Sequence, residues 1–434
     1  MSGVPYAFTA AVAVMICANS ASALEIEPGI GGGVEYTDNA LLTTADEKHD
    51  LIAISYVGAK ISEDKGAIGA DATASFSQQH YTKDSYTDRH YFNLGASIDW
   101  EMVKNRFKWL MQDYYTQRPV NAINAITPDN LQNTNIFTFG ADIDVVVTGL
   151  QTLTLRPEYR SFYYEGQSTD NQQYSLSANW NYQIFRLTSI GLNASSRSVN
   201  YDEPGIAKVT FNSIYFVVST RRVRSDLSVN LGITRVEKES SQSTDALAGN
   251  LDWLVKLTRH SNVRTYLSSD LTDSSDSALS AAVDPGTGDP NNLQVTGDTI
   301  RNKVMTVGYH RQDGALYSDL TAELRELDYS ESPNDRRVRS VYAAFNYPLT
   351  ALLSGGLYTR YNKTEELETG RTDNAYTIGA NLGYSLSRKL RAKFDIRFNN
   401  SASTQDTQNY NEFSAFVSLV YGYGDISQSG RAGG

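Results

Sequence analysis

The chain has 434 residues, of which 40% are hydrophobic and 20% charged, with a formal net charge of −11 and a single cysteine. That acidic balance argues against a nucleic-acid binder, which needs a basic stripe. No apolar run approaches the roughly eighteen residues of a transmembrane helix, and mean hydropathy is −0.40.

In chain order, the first element is the apolar stretch Ala7 to Ala18, too short to cross a bilayer as a helix. Ala21-Ser22-Ala23 then forms an A-x-A cleavage site before Leu24, so residues 1–23 read as a cleaved secretory signal, although no Lys or Arg precedes the apolar stretch. Cys17 would suit a lipoprotein, but Ile16 stands where a small residue belongs. The remaining chain, 24–434, holds no cysteine, which suits a protein crossing an oxidising periplasm unfolded.

From residue 24 onward the hydrophobic period is two. It predicts about twenty strands, at 26–37, 51–61, 67–80, 89–101, 106–117, 134–147, 152–165, 172–184, 189–201, 209–221, 226–238, 245–257, 262–272, 299–312, 315–329, 337–347, 351–361, 374–386, 389–400 and 410–423. An even count puts both chain ends on the periplasmic side of a bacterial barrel. Eighteen is the alternative count, because Gly31-Gly32-Gly33 interrupts the first strand.

The clean strands carry the physics. Tyr174, Leu176, Ala178, Trp180, Tyr182 and Ile184 face one way; Ser175, Ser177, Asn179, Asn181 and Gln183 face the other. Leu390, Ala392, Phe394, Ile396 and Phe398 likewise oppose Arg391, Lys393, Asp395, Arg397 and Asn399. The last strand puts Phe413, Ala415, Val417, Leu419, Tyr421 and Tyr423 on one face, as closing strands of outer-membrane barrels do. Lipid on one face and water on the other explains this pattern, and its repetition along the whole chain favours a closed barrel over a soluble sandwich. The expected fold is all-β: one large antiparallel up-and-down transmembrane barrel filling 24–434.

Connections alternate between tight turns, several of them basic (Lys104-Asn105-Arg106, Arg222-Val223-Arg224, Ser387-Arg388-Lys389), and longer acidic loops. Short periplasmic turns and long extracellular loops are the usual arrangement. The longest loop, 273–298, contains Asp273, Asp276, Asp284-Pro285-Gly286 and Asp289-Pro290. It reads as a solvated surface loop whose carboxylates keep it wet, with folding over or into the pore as the alternative.

The register aims Lys108, Arg156, Arg160, Arg197, Lys256, Arg264, Arg325, Arg391, Lys393 and Arg397 inward. Asp71, Asp99, Asp142, Asp144, Glu158, Asp252, Asp319, Glu323 and Asp395 point the same way. Arg156, Glu158, Arg160, Arg197, Glu323, Arg325, Arg391, Lys393 and Arg397 are the candidates for a charged track guiding an anionic solute or sugar chain; the alternative is a self-neutralising wet lining. At this strand number side chains alone cannot fill a barrel.

Catalysis leaves little trace. His49, His80, His90, His260 and His310 show no metal-ligand spacing, and no G-x-S-x-G is present. The reading is a non-enzyme with no catalytic residues, no metal and no cofactor.

Tyr36-Thr37-Asp38-Asn39, at the end of the first strand, resembles the Y-x-D-N signature of a family of outer-membrane β-barrel porins found with exopolysaccharide-biosynthesis and exosortase loci. Tyr384 to Leu390 and Tyr410-Asn411-Glu412 resemble that family's C-terminal hairpins. The resemblance implies a Gram-negative outer-membrane conduit taking part in exopolysaccharide export, with periplasmic and inner-membrane export partners. Other expected partners are the barrel-assembly machinery, outer-membrane lipids with lipopolysaccharide, and a polysaccharide or small solute in the lumen. A general diffusion porin and a plugged surface structural or adhesion barrel are the alternatives. Tyr36, Asp38 and Asn39 read as structural, since Asp and Asn at a strand end satisfy main-chain groups where the ladder stops.

Overall fold

The computed structural model describes residues 24–424 apart from 65, 167–168, 240–242, 277–294, 315 and 406–407. The proposed signal segment, and Asp284 and Asp289 of the longest loop, lie outside the described residues. Twenty strands follow one another: β1 Glu25–Thr37, β2 Asp50–Glu63, β3 Ile68–Tyr81, β4 Arg89–Val103, β5 Phe107–Pro119, β6 Leu131–Thr148 and β7 Gln151–Tyr164. Next come β8 Asn171–Phe185, β9 Thr188–Tyr201, β10 Val209–Arg221, β11 Ser225–Lys238, β12 Thr244–Lys256, β13 Ser261–Asp273 and β14 Thr299–Asp313. The last six are β15 Leu316–Tyr329, β16 Arg336–Pro348, β17 Leu353–Glu366, β18 Thr372–Ser385, β19 Leu390–Ser403 and β20 Tyr410–Gly422.

Each strand pairs antiparallel with its chain neighbour, and β1 pairs with β20, so the sheet closes on itself. Every strand predicted from alternation is present, and the count is twenty rather than eighteen. Gly31-Gly32-Gly33 does not break β1, which runs unbroken from Glu25 to Thr37.

The glycines of β1 are instead what allows closure. A Cβ on Gly29 would lie 1.7 Å from the Tyr423 carbonyl oxygen, and one on Gly33 would lie 2.8 Å from both the Phe416 ring and the Val417 carbonyl. Side chains complete the seam. Asp38 donates its N–H to the Phe413 carbonyl (3.1 Å) and accepts from the Phe413 N–H through Oδ1 (2.8 Å). Buried Asn39 donates to the carbonyls of Thr43 (2.7 Å) and Asn411 (2.8 Å), and the Thr37 hydroxyl donates to Glu412 (2.8 Å). Tyr36 points outward. The Y-x-D-N segment thus fastens the first strand to the last.

The apolar surface faces out. Ile26, Ile30 and Val34 of β1, Ile214 and Phe216 of β10, and Val417, Leu419 and Tyr421 of β20 are all exposed. An exposed apolar belt on a closed barrel with every ladder paired is what a bilayer requires of a spanning sheet. Tight connections such as 149–150 and 186–187 gather at one end, and the longer ones, 38–49, 120–130 and 274–298, at the other.

One part of the wall departs from regularity. β12 and β13 pair only over Gly249–Lys256 and Asn262–Ser269. Beyond that, β13 leaves its neighbour and carries Asp270–Asp273, still paired with β14, into the lumen. There Leu271 packs against Val199, Val209, Phe211 and Val236 of β9–β11, and Val295 against Ile136, Phe162 and Tyr164 of β6 and β7. The described ends of the longest loop are therefore lumen-docked, which corrects the solvated-loop expectation. The physical cause is apolar burial together with the ion pairs described below.

Glycine at the closure gives a direct test. Gly29→Leu is expected to abolish the heat-dependent shift in electrophoretic mobility that marks a closed barrel. Gly149→Ala, where a Cβ would meet nothing within 4 Å, is expected to keep it.

Candidate functional site: a latched constriction in the lumen

Strand pairing puts every charged residue predicted to face inward on one face of the sheet. That face is the lumen, because its side chains meet others from distant strands: Gln173 of β8 and Arg197 of β9 bond to Asp273 and Thr272 of β13. Most of these charges are paired along the wall. Arg156 holds Asp142 through two bonds (2.6 and 2.9 Å), Arg264 holds Asp252 likewise (3.0 and 2.8 Å), and Glu323 and Arg325 form a buried pair at 3.1 Å.

Four candidates, Arg156, Glu158, Arg160 and Arg197, gather at one place. Glu158 and Arg160 of β7 pair at 2.6 Å, and Arg160 also grips Asp276. Arg197 reaches Asp273 and Asp276, each at 3.0 Å, donates to the Thr272 hydroxyl (2.8 Å), and lies 4.6 Å from the centre of the Phe211 ring. Asp273 is 1% exposed. Asn171 donates to Ser275 (2.8 Å), and the Ser275 and Asp276 N–H groups both donate to Asp273 (3.0 Å). Burial pushes the Asp276 carboxyl up, but Arg197 and then Arg160 outweigh it and hold the group below the usual carboxylate range. Two arginines on the wall and two aspartates on the inward tip form a latch.

Beside the latch lies a cavity of about 360 Å³, lined by Arg156, Arg160 and Arg197, by the carboxyl groups of Glu158, Asp270 and Asp276, by hydroxyl and amide side chains including Ser175 and Asn193, and by the rings of Phe211 and Tyr215. Its size falls in the range of small-ligand sites. A larger space of about 680 Å³ opens toward the tight-turn end, with Arg186, Asp226, Asp252 and Arg264 on its walls.

The other candidates sit elsewhere. Glu323 and Arg325 belong to β15. Arg397 reaches Glu35 across the closing strand (3.4 Å), and Arg391 donates to the carbonyls of Gly422 (3.2 Å) and Gly424 (2.9 Å), so both serve the closing seam. Lys393 shares their wall on β19.

The latch carboxylates were missed because loop acids read as surface charge. A signal was available: alternation that aims Asp270 and Thr272 inward would put Asp273 against lipid, where an unpaired carboxylate is costly. A second inward contact comes from the 120–130 connection. Its Ile123 carbonyl accepts from Arg371 (3.1 Å), and its Ala125 N–H donates to Gln408 (3.4 Å).

Asp298, at the foot of β14, ties this tip to the next loop. Its carboxylate accepts from Ser330 (2.6 Å), from the N–H groups of Glu331 (2.8 Å) and Ser332 (2.9 Å), and faces Lys238 (3.8 Å). Burial opposes its ionisation, but these donors and Lys238 prevail and depress its pKa.

No protein-family model matches the chain, and no curated protein matches it. Solved structures do. The chain is similar to the FrpB iron transporter of Neisseria meningitidis (F5-1 variant), at TM-score 0.52 and 8% identity over 92% of this chain and 82% of that one. It is also similar to a mutant of the ferric enterobactin receptor PfeA of Pseudomonas aeruginosa, at TM-score 0.50 and 8% identity over 92% and 80%. What is shared at such identity is the fold, that of a large outer-membrane β-barrel.

Two outcomes follow. Removing one partner of a buried ion pair costs about 3–5 kcal/mol, because the other charge is left behind. Arg197→Met is therefore expected to undock the tip and raise single-channel conductance in planar bilayers several-fold. Arg264→Met, whose partner Asp252 lies away from the latch, is expected to leave conductance unchanged. A carboxyl with a depressed folded pKa stabilises fully above its unfolded value of about 3.9 and loses that contribution as pH falls through the folded value. With Asp298 so placed, the stability it contributes to the folded barrel is expected to stay flat from about pH 8 to 5 and to fall only below about pH 4, read as the midpoint of the heat-dependent mobility shift. Asp298→Asn is expected to flatten that fall.

Proposed function

We propose that the chain is an outer-membrane conduit that passes an exopolysaccharide to the cell surface, held closed at rest by the latch. The observation that carries this reading is the cavity at the constriction. Its arginines offer bidentate donors to carboxylate or phosphate groups of a polymer, its serines and asparagines offer partners for sugar hydroxyls, and Phe211 and Tyr215 offer flat apolar faces. The resemblance of Tyr36-Thr37-Asp38-Asn39 to the porins of exopolysaccharide loci supports the same substrate class. In this reading the barrel does no bond chemistry and needs no cofactor. Periplasmic and inner-membrane export partners supply the polymer, and the barrel-assembly machinery inserts the chain after removal of residues 1–23.

Asp273 and Asp276 occupy the positions that anionic groups of a polymer would take. An arriving acidic chain competes for Arg160 and Arg197, so the substrate itself releases the tip. A general diffusion porin has no use for such a latch.

The test is conductance of the refolded protein with added oligosaccharides. Acidic oligosaccharides are expected first to increase channel opening and then to interrupt the current during passage, and neutral ones of equal length to do so at least tenfold less often. Arg160→Gln is expected to narrow that difference. Indifference to every sugar would overturn the reading and leave a small-solute porin; a channel that never opens would leave a structural surface barrel.

A further inference from the structure

The outer face of the barrel gathers positive charge in one place. Register parity puts Arg301 and Lys303 of β14, Arg337 and Arg339 of β16, and Lys363 of β17 on the lipid side, all near the long-loop ends of adjacent strands. Elsewhere on the strands, the outward Lys and Arg are Arg235 and Arg311, each tied to a carboxylate of its own, Asp245 and Asp313. The outward faces of β1–β10 and β18–β20 have none.

Three acids share that patch, and they do not neutralise it. Lys303 and Arg337 both contact Glu326 (2.7 and 3.1 Å), with Asp328 also 3.0 Å from Lys303. Arg339 and Lys363 both contact Glu365 (3.4 and 2.7 Å). Arg301 bonds to the Leu247 carbonyl (3.4 Å). Five cations against three carboxylates leave an excess of positive charge on a chain whose overall balance is −11. Lys303, Arg337 and Arg339 also keep 41–43% of their side-chain surface exposed. Directly below them, Met305, Leu324, Val341 and Tyr361 present an exposed apolar row.

Cations on a lipid-facing wall are disfavoured increasingly with depth, so they concentrate where an anion meets them. At the long-loop end the anion must be joined to acyl chains, because the next row down is apolar. We propose that this patch is a binding site for the bisphosphorylated lipid A of lipopolysaccharide. Arg337 and Arg339 grip a phosphate with their forked donors, Lys303 and Lys363 add point charge, and the acyl chains lie on Met305, Leu324, Val341 and Tyr361. Glu326 and Glu365 hold the cations in place between lipids.

The experiment uses the whole barrel refolded in mild detergent, titrated with bisphosphorylated lipid A, monophosphorylated lipid A and inorganic phosphate. Folding of each variant is checked by heat-dependent gel mobility. The triple variant Lys303→Gln, Arg337→Gln, Arg339→Gln is expected to bind bisphosphorylated lipid A at least tenfold more weakly, while Arg235→Gln binds as the wild type does. Monophosphorylated lipid A is expected to bind more weakly than the bisphosphorylated form. Should the triple variant fail to fold, Arg339→Gln alone is expected to give a threefold or greater loss. Unchanged affinity in whichever of these variants folds would overturn the proposal, as would saturation of the patch by millimolar phosphate that displaces lipid A.

Discussion

Inside a bilayer no water is available for a main-chain N–H or C=O, so a spanning sheet cannot end in a free edge. The rest of this molecule depends on that constraint, and the β1–β20 seam is where it is met. The seam joins the two strands farthest apart in sequence, so no short connection holds them together and local chemistry must. Gly29 and Gly33 remove the side chains that would keep the strands apart. Thr37, Asp38 and Asn39 then extend the pairing past the last ladder position, with bonds to Glu412, Asn411 and Phe413. Bringing together strands so far apart in sequence carries a loop-closure cost, and the dense bonding at this one place contributes stability against it.

The inward tip of β13 and β14 relaxes the same rule, and the structure shows how. Where β13 leaves β12, ladder bonds on that side of Thr244–Ala248 are given up. Arg301 caps one freed carbonyl, that of Leu247. The tip regains far more inside: a fully buried apolar cluster around Val199 and Phe211, and a set of charge-assisted bonds to Asp273. Such an exchange works only at the long-loop end, where freed groups lie beside water rather than hydrocarbon.

How much was legible in the sequence follows from which forces act locally. Alternation such as Tyr174 to Ile184 against Ser175 to Gln183 is imposed residue by residue by lipid and water, so strand positions and facing could be read directly. The pairing of Arg156 with Asp142 or Arg264 with Asp252 follows from facing plus adjacency. The latch does not. Arg160 and Asp276 are 116 positions apart, and nothing between them encodes that a loop turns inward rather than outward. Periodicity also misled at Gly31-Gly32-Gly33, which resembles an interruption yet runs inside an unbroken β1, with Gly33 placed where a Cβ would meet Phe416 and Val417 of β20.

The two charged sites handle charge in opposite ways, and the difference bears on function. Along the lumen, Arg156, Arg264 and Arg325 each have a fixed wall partner, so those stretches present little net field to a passing solute. Arg160 and Arg197 differ, since Asp273 and Asp276, which compensate them beside Glu158, lie on the inward tip that the proposed reading sets free. Undocking would remove two negative charges from the constriction and uncover two arginines in one movement. Opening the pore and creating its anion-attracting site are then the same event. On the proposed reading, the docked tip holds the conduit closed at rest, and the lumen becomes attractive to an acidic polymer only once that polymer, or a partner, has displaced the tip.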